Sequence, residues 1–221
     1  MTQPAGAPGL RPVRRRRDSR RAPRIGIFGG TFDPPHVGHL ALAERARDQL
    51  GLERVVFVPA ADPPHKRGRA KTPFAMRLRM TRLAVRGHSG FTVSDLESRR
   101  PGPSYTVETL RAMRRRHPDH ELVLVLGADS LEDFPGWRDP EDIARLARLA
   151  VAPRPVRRRA RRRAARPRVR RGRVTRLNCP VLDVSSSDLR SRARRGESLR
   201  YLVPDAVESY VRRHRLYREH A

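Results

Sequence analysis

Two histidines three residues apart, His36 and His39, close the run Gly29-Gly-Thr-Phe-Asp-Pro-Pro-His-Val-Gly-His39. Residue types in that order suit an anion. Glycines let backbone N–H groups approach a phosphate closely. The first turn of a helix leaves its N–H groups unpaired, and its dipole favours negative charge there. Histidines at this spacing share one helix face, and each ring donates a hydrogen bond or a charge near neutral pH. A Gly-Gly turn, or a lone histidine at a helix start, is ordinary alone. The unbroken series after a short apolar run predicts a phosphate-handling site drawn from Gly29, Gly30, Thr31, Phe32, His36 and His39.

A second anion site is expected where Val184-Ser-Ser-Ser-Asp-Leu-Arg190 opens a helix. Hydroxyls of Ser186 and Ser187 join free backbone N–H groups there, with Arg190 one turn on. A serine cap beside a surface arginine would read the same way, and the first site is what favours the phosphate. His65-Lys66 is a charged loop pair, Asp129 either caps a turn or faces the crevice, and Trp137 either covers the core or stacks on a planar ring.

These residues need a frame that brings them together. The apolar runs at 24–28, 54–59 and 121–126 read as buried strands, the last of them central, with a short strand at 91–94. Helices are expected at 40–50, at 105–117 and from Thr72 as N-cap with Pro73 in first position to about 86. Further on come a helix at 143–149, a strand at 149–152, a last strand at 181–184 and helices at 187–195 and 204–215. Strand and helix alternate, which predicts an α/β fold: a Rossmann-like, doubly wound, mostly parallel sheet in a single domain. Ligands are then expected outside the carboxyl ends of the strands.

Composition bounds the rest. The chain has 221 residues, 37% of them hydrophobic, and a net charge of +27. Much of that charge is local. Residues 1–24 hold eight arginines and one acid, residues 154–176 hold thirteen arginines and none, and neither has an apolar periodicity to fold on. Both are expected to be disordered, an extension and an insertion on a single folded domain at 25–218, with 219–221 a tail. Only Lys66 and Lys71 are lysines, which favours arginine codon bias over selection for a specific nucleic acid. A single cysteine excludes an intramolecular disulfide framework. No apolar run approaches the ~20 residues that span a bilayer, so no membrane partner and a cytoplasmic location are expected. No acidic cluster with metal-ligand spacing stands out.

The quoted motifs, with Pro63-Pro-His-Lys66, Arg77 and Met80, Pro103-Ser-Tyr-Thr106, Gly127-Ala-Asp-Ser130 and the loop tryptophan, together resemble bacterial nicotinate-nucleotide adenylyltransferase over about residues 24–218. The resemblance implies transfer of the adenylyl group of ATP to nicotinate mononucleotide, giving deamido-NAD and pyrophosphate, with Mg2+ accompanying ATP. It implies that His36, His39 and Arg190 are catalytic, and that Gly29, Gly30, Thr31, Phe32, Ser186 and Ser187 join them in binding ATP. It places nicotinate mononucleotide against His65, Lys66, Tyr105, Thr106, Asp129 and Trp137. Ser187 stands where the family often has Thr, which keeps the hydroxyl. Other transferases share His-x-Gly-His, acting on phosphopantetheine or nicotinamide mononucleotide, and a basic nucleic-acid-binding protein is the reading from another class. The sequence does not address the oligomeric state.

Overall fold

The computed structural model describes residues 22–63, 72–153, 173–180 and 182–218. Six strands form one sheet, all parallel: β1 (Arg24–Gly30), β2 (Arg54–Pro59), β3 (Phe91–Val93), β4 (Glu121–Leu126), β5 (Ala147–Val151) and β6 (Val174–Arg176). Their spatial order is β3-β2-β1-β4-β5-β6. The order of strands therefore reverses between β1 and β4, and a crevice opens at their carboxyl ends. In β4 every residue from Leu122 to Leu126 is buried, because helices cover both faces. Each such aliphatic side chain contributes about 1.5–3 kcal/mol by leaving water.

The helices are α1 (Val37–Leu50), α2 (Phe74–Ala84), α3 (Thr106–Arg116), α4 (Ala128–Asp133), α5 (Pro140–Leu146), α6 (Ser186–Arg194) and α7 (Asp205–Arg213). Gly51, at φ +61°, ends α1 in the left-handed conformation, where its N–H reaches the carbonyl of Arg47. One sheet face carries Ile25, Ile27, Leu122 and Leu124 under Val107, Leu110 and Ile143; the other carries Phe28, Phe57, Val123 and Val125 under Leu42, Ala43 and Ala46. A third cluster lies off the sheet. Met80 and Ala84 of α2, Leu189 and Ala193 of α6 and Val207 and Val211 of α7 pack together, with Leu40 of α1 against them.

Several boundaries differ from expectation. Helix α2 starts at Phe74, not Thr72, with Pro73 as the capping residue and no side-chain cap; the Thr72 carbonyl is taken by Arg77 instead. Residues 147–149 are strand, not helix, because β5 pairs Ala147–Val151 with Leu122–Leu126, and α5 is held earlier by Pro140 at its start with Glu141 and Asp142 in its first turn. The last strand is β6 rather than 181–184. It falls inside the arginine-rich stretch, while residues 182–184 are irregular and Val181 lies outside the described residues. Two short 3₁₀ turns, Leu96–Arg99 and Phe134–Gly136, and the short α4 were not expected. The extension at 1–21 and the tract at 154–172 lie outside the described residues.

Candidate active site

A cavity of about 680 Å³ occupies the crevice at the carboxyl ends of β1 and β4. Gly29, Gly30, Thr31, Phe32, His36 and His39 line it from the β1–α1 side, Ser186, Ser187 and Arg190 from α6, and Tyr105, Thr106 and Trp137 from the far wall. These twelve positions, separated by up to 161 residues in sequence, therefore meet in one cavity. His65 and Lys66 lie outside the described residues. Asp129 sits in α4, but its side chain is outside what is described; its neighbours Gly127 and Ser130 line the cavity.

His36 is the N-cap residue of α1 and His39 lies in its first turn. The His36 backbone N–H donates to Nδ1 of His39 at 3.2 Å, and the two rings lie 3.7 Å apart, tilted by 32°. An Nδ1 that accepts assigns the neutral ring's proton to Nε2. His36 is only 7% exposed, and burial lowers its pKa to about 4. It is therefore a neutral imidazole at pH 7 in the absence of an anion. Phe32 and Phe28 wall in His39, their ring centroids 5.0 and 5.9 Å from it.

Three glycines of this stretch differ in what surrounds them. A Cβ on Gly38 would meet Nδ1 of His36 at 3.0 Å, so Gly38 lets the His36 ring fold back over the helix start. A Cβ on Gly30 would meet the Phe32 ring at 2.9 Å. A Cβ on Gly29 would meet no protein atom within 4 Å, although Gly29 lines the cavity. No protein neighbour explains the glycine there. Phe32 itself has φ +50°, an uncommon conformation for a side chain of its size, and it turns the chain from β1 toward α1.

Helix α6 docks on this turn. Ser185 caps it, its Oγ accepting from the Asp188 N–H at 3.1 Å. The Ser186 hydroxyl donates to the Pro34 carbonyl at 2.9 Å, and Arg190 donates to the Asp33 carbonyl at 2.8 Å and to Ser187 Oγ at 3.2 Å. The two expected anion sites are thus joined by direct hydrogen bonds. Both helix termini, α1 and α6, face one cavity.

Residues not singled out for roles hold the loops in place. Arg77, 2% exposed, donates to the carbonyls of Thr31 at 2.9 Å, Ala60 at 2.7 Å, Ala61 at 3.3 Å and Thr72 at 2.9 Å. One guanidinium so ties the carboxyl ends of β1 and β2 to the entry of α2. Burial lowers its pKa, opposed by the charge of Asp33, but a guanidinium stays ionised. Asp33, 3% exposed, accepts the Tyr217 hydroxyl at 2.7 Å; burial and that carboxylate push the phenol pKa up. Glu97, also buried, lines the cavity and accepts from the Thr109 hydroxyl at 2.5 Å; burial raises its pKa. The signals were in the sequence, an acid inside the Asp-Pro-Pro turn and an arginine inside an apolar helix, but neither shows its burial. Among the described residues no group of three or more His, Cys, Asp or Glu could hold a metal ion, and no helix is long and apolar enough to cross a membrane.

The chain is similar to known proteins over most of its length. Residues 27–192 match the profile of a family described as cytidylyltransferase-like. A Thermomicrobium roseum protein named "Probable nicotinate-nucleotide adenylyltransferase" is 48% identical over 88% of this chain and 92% of its own. A Synechococcus protein of the same name is 48% identical over 88% and 94%. Among solved structures, a Plasmodium falciparum nicotinic acid mononucleotide adenylyltransferase complexed with NaAD shares the fold, with a TM-score of 0.70 at 19% identity over 88% of this chain and 97% of that one.

Proposed function

This chain belongs to the cytidylyltransferase-like family and, within it, to the nicotinate-nucleotide adenylyltransferases, and from that membership we infer the reaction its cavity performs. It transfers the adenylyl group of ATP to nicotinate mononucleotide in NAD biosynthesis. A phosphate oxygen of the acceptor bonds to the α-phosphorus of ATP, the bond from that phosphorus to the bridging oxygen breaks, and pyrophosphate leaves. No protein nucleophile is needed. The work is alignment of two nucleotides and neutralisation of charge.

The observation that carries this reading is the junction of two helix termini on one cavity, with Arg190 bonded to the very turn that delivers His36 and His39. His36 and His39 take the triphosphate and the charge that develops at the α-phosphorus, while Ser186, Ser187 and Arg190 hold phosphate oxygens from the opposite terminus. Gly29, Gly30, Thr31 and Phe32 meet ATP through backbone. Trp137 stacks on the pyridine ring, and the backbone at Tyr105 and Thr106 opens α3 toward the ring carboxylate. His65 and Lys66 suit the acceptor's phosphate, and Asp129 a ribose hydroxyl. Adenylyl transfer from ATP calls for a divalent metal, and we take it to be Mg2+. The triphosphate oxygens of ATP would hold that ion, which would neutralise their charge. We also hold the protein to be cytoplasmic, with no specific nucleic-acid or membrane partner.

Purified protein with ATP and Mg2+ is the test. Pyrophosphate release should be fastest with nicotinate mononucleotide, against nicotinamide mononucleotide and phosphopantetheine as alternative acceptors. Faster release with phosphopantetheine would overturn the assignment of the acceptor.

A further inference from the structure

A guanidinium taken out of water is tolerated only where its N–H groups are met, and Arg77 of α2 is buried. All three of its nitrogens donate to backbone carbonyls: Nε to Thr72 at 2.9 Å, Nη1 to Thr31 at 2.9 Å and to Ala60 at 2.7 Å, and Nη2 to Ala61 at 3.3 Å. The place of Nη1 matters most. Strands β1 and β2 pair as far as Gly30 and Pro59, and the Ala60 N–H donates to the Gly30 carbonyl at 2.8 Å. The ladder stops there, and Nη1, bonded to Thr31 and Ala60 together, stands in for the next rung.

The same hold extends to the opposite wall. Asp62, directly after Ala61, donates its N–H to Ser104 Oγ at 3.0 Å, and its carbonyl accepts the Ser104 N–H at 2.8 Å. Ser104 precedes Tyr105, the N-cap residue of α3. One guanidinium thus bonds the turn that leads to His36 and His39 and, through Ala61 and Asp62, braces the entry of α3. Thr31 lines the cavity from one side, Tyr105 and Thr106 from the other. Each side presents its own groups to a nucleotide, whereas the separation of the two sides depends on the bridge. Transfer between two bound nucleotides is sensitive to that separation, because reacting atoms must lie ~3–3.5 Å apart and a displacement of about 1 Å can lower the rate about 10²-fold. We propose that Arg77 is a positioning residue for the transfer step, fixing the distance between donor turn and acceptor wall and not the affinity for either nucleotide. This rests on the reading of the reaction as transfer between ATP and nicotinate mononucleotide.

Single-turnover kinetics of the full chain and of Arg77→Lys and Arg77→Met, set beside calorimetric binding of ATP with Mg2+ and of nicotinate mononucleotide separately, test this. Methionine keeps the length and supplies no donor, while lysine keeps the charge and one donating nitrogen. In Arg77→Met the transfer rate should fall about 10²-fold with each Kd within about threefold of the unmodified protein, and Arg77→Lys should lie between. A Kd that weakens as much as the rate falls would make Arg77 a general support of the fold and overturn the proposal, as would an unchanged rate. Should Arg77→Met fail to fold, Arg77→Lys decides alone: a rate about tenfold lower at unchanged Kd supports the proposal, and a loss shared with both Kd values overturns it. Failure of the unmodified protein to use nicotinate mononucleotide would instead remove the underlying reading.

Discussion

His36 combines a helix terminus with a ring that burial keeps neutral, and the pH dependence of folding follows from that pairing. Its folded pKa, about 4, lies below the unfolded value near 6.5. The unfolded chain therefore binds the proton first as pH falls, and stability is lost between about pH 6.5 and 4, by up to ~3 kcal/mol from this group. Thermal melts at pH 5 and 7.5 should show a smaller difference in His36→Asn than in the unmodified protein. His39→Ala should cost roughly 10²-fold or more in kcat through lost transition-state electrostatics; unchanged turnover would remove the central role assigned to the histidines. The glycines divide in a measurable way. Gly29→Ala should leave the melting temperature unchanged, since its Cβ meets no protein atom, yet raise the KM of ATP. Gly38→Ala should disturb both, because its Cβ pushes against the His36 ring.

At the level of elements, the loops around the cavity hang on a few buried polar groups. Tyr217→Phe removes a donor from the buried Asp33 carboxylate and should destabilise the fold by about 1–3 kcal/mol in urea unfolding, with the larger kinetic effect on ATP rather than on the acceptor. Strands β1, β2 and β4 were legible in the sequence because each is a continuous apolar run buried on both faces, a pattern that polar loops interrupt cleanly. The turns at 29–39 and 185–190 stood out because glycine, histidine and serine at helix starts have few other uses in combination, and the structure brings both to one cavity. Boundaries were less so. Thr72 has the chemistry of a cap, but the Arg77 guanidinium captures its carbonyl and the helix opens later. Strand β6 is an edge strand of Val174, Thr175 and Arg176, none of them buried, so nothing marks it against the surrounding arginines. The buried roles of Arg77, Glu97 and Tyr217 were not legible because burial of a polar side chain is decided by elements distant in the chain.

Over the whole molecule, charge and chemistry are separable. Residues 1–21 and 154–172 carry much of the arginine excess, whereas Arg24 pairs with Glu121 and Arg176 lies in β6. A protein lacking the first segment, with the second replaced by a Gly-Ser linker of equal length, should keep its turnover and lose its salt-sensitive retention on polyanions. A collapse of turnover would mean that these segments serve catalysis. The sequence could not reveal that α2, α6 and α7 form a cluster of their own, since each is short and its partners lie far apart in the chain. Helix α6 of that cluster carries Arg190, while Gly29 and Gly30 end the central strand β1 and Thr31 and Phe32 follow it. Amide hydrogens should therefore exchange in two classes, those of β4 slowly and those of α6 and α7 through a shared, lower-energy opening. ATP, by bridging the two parts, should slow the second class far more than the first, so that donor release is timed by the unlatching of three helices and not by the sheet.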